Sequence, residues 1–147
     1  SWVGMISMLA ALLCGCHPAR QLPEPLTIYL TGTEHLWQAE YALVHGPPLK
    51  VGPELHIPVD WPVVFVLKTN DYIYMLAIPA FGLKEIAVPE LEFRMSLRAQ
   101  EGGEYPLVGE ELCGLSGQAG PGRLIVESRS PFQAWFERQS ATRNGLP

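Results

Sequence analysis

Few side chains in this sequence carry chemistry, and the richest stretch is short. Glu110-Glu111-Leu112-Cys113 is followed by glycines at 114, 117, 120 and 122. A thiolate can act as a nucleophile, a redox group or a soft metal ligand. Paired carboxylates can move protons or hold a hard cation. No acid or base is spaced to work with Glu110-Glu111 in hydrolysis, and no nucleophile constellation accompanies Cys113. The glycines follow neither a Walker nor a dinucleotide-binding spacing, and no helix signal comes after them. Two of the three cysteines, Cys14 and Cys16, lie in an apolar N-terminal run. With those two removed or modified, Cys113 is a lone thiol that cannot form an internal disulfide. A buried structural thiol is the leading expectation for it, ahead of a ligand or redox site.

These residues must be positioned by a fold built from short pieces. A chain of 147 residues with 14 glycines and 14 prolines spread along it is one domain of short strands and turns. The net charge of -5 and the lack of any basic run argue against a nucleic-acid partner, whose phosphates require clustered Lys and Arg. Alternation and β-formers predict strands over residues 26–31 and 36–44, with Trp37, Ala39 and Tyr41 on one face. Residues 54–58 read as an edge segment, because Pro58 cannot donate to a ladder. WPVVFVLK, 61–68, is the strongest strand and its near-continuous apolar run predicts burial on both faces. Residues 72–79 read as a further strand, preceding a turn at Ala80-Phe81-Gly82. In 90–98, Leu91, Phe93, Met95 and Leu97 are expected in the core. A segment over 104–113, a strand over 123–128 and a short helix follow. Ser130 is expected as that helix's N-cap with Pro131 at its first position. Phe132, Trp135 and Phe136 share one helix face and should cover the end of the sheets. Strands with turns every eight to twelve residues predict an all-β sandwich or barrel.

Residues 3–16, VGMISMLAALLCGC, are apolar but too short to span a bilayer; their length suits the h-region of a secretory signal. Leu13-Cys14-Gly15-Cys16 resembles the lipobox of bacterial lipoproteins, which implies cleavage before Cys16 and a lipid anchor on it. The expected organisation is a signal over 1–15, a Pro-rich tether over 16–25, a folded domain over 26–138 and a flexible tail over 139–147.

Within the domain an ordered set of segments resembles the periplasmic copper-A domain of cytochrome c oxidase subunit II. The set comprises Trp37-Gln-Ala-Glu-Tyr41, then Thr69-Asn70-Asp71 with Ile73 and Pro79, then Gly82-Leu83-Lys84 and Val88-Pro89. Gly109-Glu-Glu-Leu-Cys113-Gly114 and Pro131-Phe132-Gln-Ala-Trp135 complete it. The resemblance implies a Greek-key cupredoxin-like β-sandwich with a short C-terminal helix. It also implies where two copper ions would sit: the family's ligand positions fall at Tyr74, Gly109, Glu111, Cys113, Gly117 and Gly120. The family uses two bridging thiolates, two imidazoles, a thioether and a backbone carbonyl. Here Cys113 keeps its side-chain donor and Glu111 its carbonyl, while glycines and a phenol occupy the rest. A phenol of reference pKa near 10 is a poor substitute for imidazole. A mononuclear blue-copper site would need two His and one Cys, and His17, His35, His45 and His56 are not spaced around Cys113 to supply them. Copper is therefore not expected, and no catalytic residue is assigned. Glu111 remains a candidate magnesium ligand, by analogy with its family counterpart. The family's exposed electron-entry Trp falls near His35 or Leu36, so that residue is also expected to be lost.

The resemblance implies an accessory or structural subunit of a haem-copper oxidase or related respiratory complex, lipid-anchored at the periplasmic face of a bacterial envelope. Quinol oxidases offer the family precedent, since they keep the sandwich without its copper. The alternatives are a working electron-transfer subunit II with an atypical copper site, and a free-standing periplasmic lipoprotein.

Overall fold

A computed structural model describes residues 21–34, 36–111 and 122–143. Cys16, Cys113, Gly117 and Gly120 lie outside these residues. The strands are β1 (Leu26–Thr33), β2 (Leu36–Tyr41), β3 (Leu49–Val51), β4 (Glu54–Pro58), β5 (Val63–Thr69), β6 (Tyr74–Ile78), β7 (Leu83–Ala87), β8 (Phe93–Leu97), β9 (Gly103–Pro106), β10 (Val108–Glu111) and β11 (Arg123–Glu127). Helix α1 (Arg129–Arg143) follows them. No helix among the described residues is long and apolar enough to cross a membrane.

Hydrogen bonding arranges the strands as a five-stranded sheet, β3-β2-β1-β5-β8, and two three-stranded sheets, β10-β6-β7 and β4-β11-β9. All three contribute to one continuous apolar core, so the architecture is the expected β-sandwich. The chain crosses repeatedly between layers, and β1–β5 and β4–β11 are parallel neighbours. In β1 the alternation of Leu26, Ile28 and Leu30 with Thr27, Tyr29 and Thr31 puts the first set fully inside. Strand β5 departs from the expectation of burial on both faces. Val63, Phe65, Leu67 and Thr69 face the core, but on the other side only Val66 is fully buried, and Val64 and Lys68 reach half-exposed positions.

Several expected boundaries shift for local reasons. The segment expected over 104–113 is two strands separated at Leu107, because β9 pairs with β11 while β10 pairs with β6. Leu91 is exposed, not core: Glu90 has φ +69°, and the turn it makes throws Leu91 outward before β8 begins. The helix opens earlier than Ser130, since the Phe132 N–H already donates to the Ser128 carbonyl at 3.2 Å. Ser130 and Pro131 both fall in its first turn, where a missing N–H costs no helical bond. At its other end α1 continues to Arg143, so residues 139–143, expected as tail, are its last turn. The expected face is confirmed: Phe132, Trp135 and Phe136 are buried, and α1 packs over β3 and β4. The end of the expected tether also belongs to the fold, with Leu22 buried and the Trp61 indole N–H donating to the Pro23 carbonyl at 3.0 Å.

Candidate functional site

Strands β6 and β10 bring three of the six expected ligand positions together. Their antiparallel register sets Glu111 against Tyr74 and Gly109 against Leu76. Gly109 is buried. The side chain of Tyr74 points inward and is fully buried, as alternation along β6 requires.

Its ring occupies space that a glycine leaves. A Cβ placed on Gly32, near the end of β1, would stand 2.7 Å from the Tyr74 ring, a distance no carbon tolerates. Trp37 meets the same ring edge-on at a centroid distance of 5.5 Å, in the T-shaped arrangement that aromatic quadrupoles favour. The Trp37 indole Nε1 is itself buried and makes no hydrogen bond among the described residues.

The Tyr74 hydroxyl donates to Oδ1 of Asp71 at 2.9 Å. Asp71 is the hub of this end of the molecule. Its Oδ1 also accepts from the Tyr72 N–H at 2.7 Å and from the Thr69 hydroxyl at 3.3 Å, and its Oδ2 from the Glu34 N–H at 2.6 Å. The last bond secures the β1–β2 turn, where Glu34 adopts φ +51°, a left-handed conformation that costs a non-glycine residue about 1–2 kcal/mol. Two more bonds hold the same junction: Asn70 N–H to the Gly32 carbonyl at 3.1 Å and Asn70 Nδ2 to the Thr33 hydroxyl at 2.9 Å. Partial burial pushes the Asp71 carboxyl up. The N–H groups of Glu34 and Tyr72, the Tyr74 hydroxyl and Thr69 outweigh it, and hold the carboxyl below its usual range.

Tyr74, Gly109 and Glu111 are thus neighbours on paired strands, while Cys113, Gly117, Gly120 and Cys16 lie outside the described residues. His56 is at a different place, on β4. Its Nδ1 is 2.7 Å from a Glu127 carboxylate oxygen, and its ring stacks on Trp135 at 4.2 Å. Leu36, near the expected electron-entry position, is exposed, whereas Trp37 is half-buried. Among the described residues no group of three or more His, Cys, Asp or Glu could hold a metal ion. What sequence reasoning missed is the role of Asp71. The Thr69-Asn70-Asp71 turn signalled a carboxylate beside β6, but three of its four donors come from residues 34, 72 and 74.

Comparison with known proteins agrees with this fold. Residues 26–128 match the family model for the periplasmic domain of cytochrome C oxidase subunit II. Cytochrome c oxidase subunit 2 of Alkalihalophilus pseudofirmus is 33% identical over 117 residues, which are 78% of this chain and 33% of that protein. The Thermostichus vulcanus counterpart is 31% identical over 131 residues, 86% of this chain and 38% of that protein. The chain therefore spans about a third of the length of these curated relatives. Among solved structures, the periplasmic domain of subunit II of cytochrome oxidase from Bradyrhizobium japonicum superposes with a TM-score of 0.67 at 26% identity. That match covers 83% of this chain and 99% of the other.

Proposed function

Since this chain belongs to the family of the cytochrome c oxidase subunit II periplasmic domain, we propose that it is an accessory or structural subunit of a haem-copper oxidase or related respiratory complex, one that does not hold copper in the family's way. It acts at the periplasmic face, tethered through a lipid on Cys16.

The observation that carries the reading is the state of Tyr74. The first imidazole position is taken by a phenol whose oxygen is committed to Asp71 and whose ring is locked between Gly32 and Trp37. Turning that oxygen toward a metal beside β10 would abandon the Asp71 bond and leave a partly buried carboxylate with one donor fewer. Gly109 on the facing strand offers no side-chain donor at all. Soft, electron-sharing copper chemistry needs sulfur and imidazole, and the described positions offer neither. The donor set does not fit a two-copper centre.

The test is purification of the chain from detergent-solubilised native membranes. The catalytic subunit of a haem-copper oxidase is expected to co-purify, and the isolated chain, incubated with copper and desalted, is expected to retain none at stoichiometric level. Two bound copper ions with an intense thiolate-to-copper absorption would overturn the copper-free reading and favour a working electron-transfer subunit. Recovery of no oxidase subunit would overturn the assembly role and leave a free-standing lipoprotein.

A further inference from the structure

The aromatic pair at this pole has the arrangement of a redox site in its own right. We propose that Tyr74 is a one-electron trap, oxidised through Trp37 with Asp71 as the proton acceptor. The proposal is read from these three side chains alone and goes beyond the assembly role, on which it does not depend.

Oxidising a phenol in a buried site is easy only if the proton can leave with the electron, because the phenol radical cation is a very strong acid. Tyr74 has that exit. Its hydroxyl already donates to a carboxylate oxygen of Asp71 at 2.9 Å. Two other tyrosines lack one: the hydroxyls of Tyr41 and Tyr105 donate to the backbone carbonyls of His56 and Glu101, which cannot keep a proton. Tyr29 has the Lys68 ammonium over its ring at 5.7 Å, and a cation there opposes loss of an electron.

Trp37 supplies the approach. It is half-buried, so it reaches toward the surface that Tyr74 does not, and the ring centroids are 5.5 Å apart. Its buried Nε1 has no acceptor among the described residues, so an oxidised indole keeps its proton and remains a strong oxidant. It is then reduced by Tyr74, which has somewhere to put a proton. The balance is complete. One electron passes from Tyr74 through Trp37 to a strong one-electron metal oxidant, of the ferryl-haem or ruthenium(III) class. The phenolic proton moves to Asp71 Oδ1, and a neutral phenoxyl radical and a protonated carboxyl result.

The experiment is flash-quench oxidation of the purified chain with photogenerated tris(bipyridine)ruthenium(III), followed by freeze-quench electron paramagnetic resonance. A neutral tyrosyl signal is expected, forming more slowly in D2O. In Tyr74→Phe its yield should fall at least tenfold, with the radical left on an indole. Trp37→Phe, which keeps a packed ring, should slow its formation at least tenfold. Circular dichroism establishes that each variant is folded, and the solvent isotope effect on the unmodified chain needs no variant. An undiminished tyrosyl signal in Tyr74→Phe would place the hole on a surface tyrosine and overturn the proposal. So would formation at the same rate in H2O and D2O, or an unchanged rate in folded Trp37→Phe.

Discussion

Asp71 has four donors converging on one carboxylate, two of them backbone N–H groups. Bonds to an ionised group are each worth more than neutral ones, and removing the shared acceptor strands several donors at once. Asp71→Ala should lose about 1–3 kcal/mol of unfolding free energy, read from urea denaturation. The pH dependence has a definite sign. The folded carboxyl lies below its usual range, so the unfolded state binds its proton first as the solution is acidified. The stabilisation is complete above the unfolded value of about 3.9 and is lost as pH falls through the folded value. The stability gap between the native chain and Asp71→Asn should therefore narrow below about pH 4; a gap constant from neutral pH to that point and beyond would refute the assignment. At this scale the sequence is legible only in part. Order along the chain is enough to name Tyr74, Gly109 and Glu111 as expected site positions, and the register of β6 and β10 puts Tyr74 beside Glu111. The hub could not be placed, because Glu34, Thr69, Tyr72 and Tyr74 become its partners only once β1, β2, β5 and β6 have assembled. Nor does a sequence say that Gly32 is the glycine under the Tyr74 ring.

Among the elements, α1 shows most directly how a short pattern becomes a tertiary lock. Phe132, Trp135 and Phe136 form a buried aromatic face. Trp135 lies 5.4 Å from the Tyr41 ring and 4.2 Å from His56, linking β2 and β4 through the helix. Tyr41 ties the same strands by donating to the His56 carbonyl at 2.6 Å and accepting its N–H at 2.9 Å. Burial pushes the Tyr41 phenol well up, the His56 backbone bond opposes this, and the Glu127 charge adds to it; the phenol stays protonated at any ordinary pH. Truncating a wholly buried aromatic leaves a cavity, so Phe132→Ala should cost about 3–5 kcal/mol in denaturant unfolding. Trp135 emission should shift to longer wavelength in the same titration as its helix detaches. Full stability in Phe132→Ala would mean that α1 is not part of the cooperative unit. The helix face and strands β1 and β5 were legible because their periods are long enough to register. Strands β3 and β7 were not. Leu49–Val51 is three residues fenced by Pro47-Pro48 and Gly52-Pro53, and Leu83–Ala87 carries Lys and Glu side by side. Both become strands by pairing, to β2 and β6 respectively, so their signal lies in their neighbours.

On the scale of the whole molecule, the sandwich has two poles. Parallel pairing of β1 and β5 sets Leu26 beside Val63 at one pole and Gly32 beside Thr69 at the other. At about 3.3 Å per residue the six steps of β1 from Leu26 to Gly32 hold these poles some 20 Å apart. Residues 22–26 lie at the first pole and the Tyr74 cluster lies at the second. The first pole is clamped. Leu22 is buried, the Pro23 carbonyl accepts the Trp61 indole N–H, the Leu26 N–H donates to the Pro62 carbonyl at 2.9 Å, and the Arg129 guanidinium lies 4.6 Å from the Trp61 ring centroid. The clamp joins residues 22–23, the start of β5 and the start of α1 into one framework at this pole. Removing residues 1–21 gives the reference chain, for which about 1 kcal/mol moves the thermal midpoint by several degrees, as for any domain of this size. Removing residues 1–25 deletes a core leucine and the acceptor of a partly buried indole, and should cost about 2–5 kcal/mol. Equal stability of the two truncations, measured side by side, would show that the fold begins at β1 and that the entry segment merely rests on its surface.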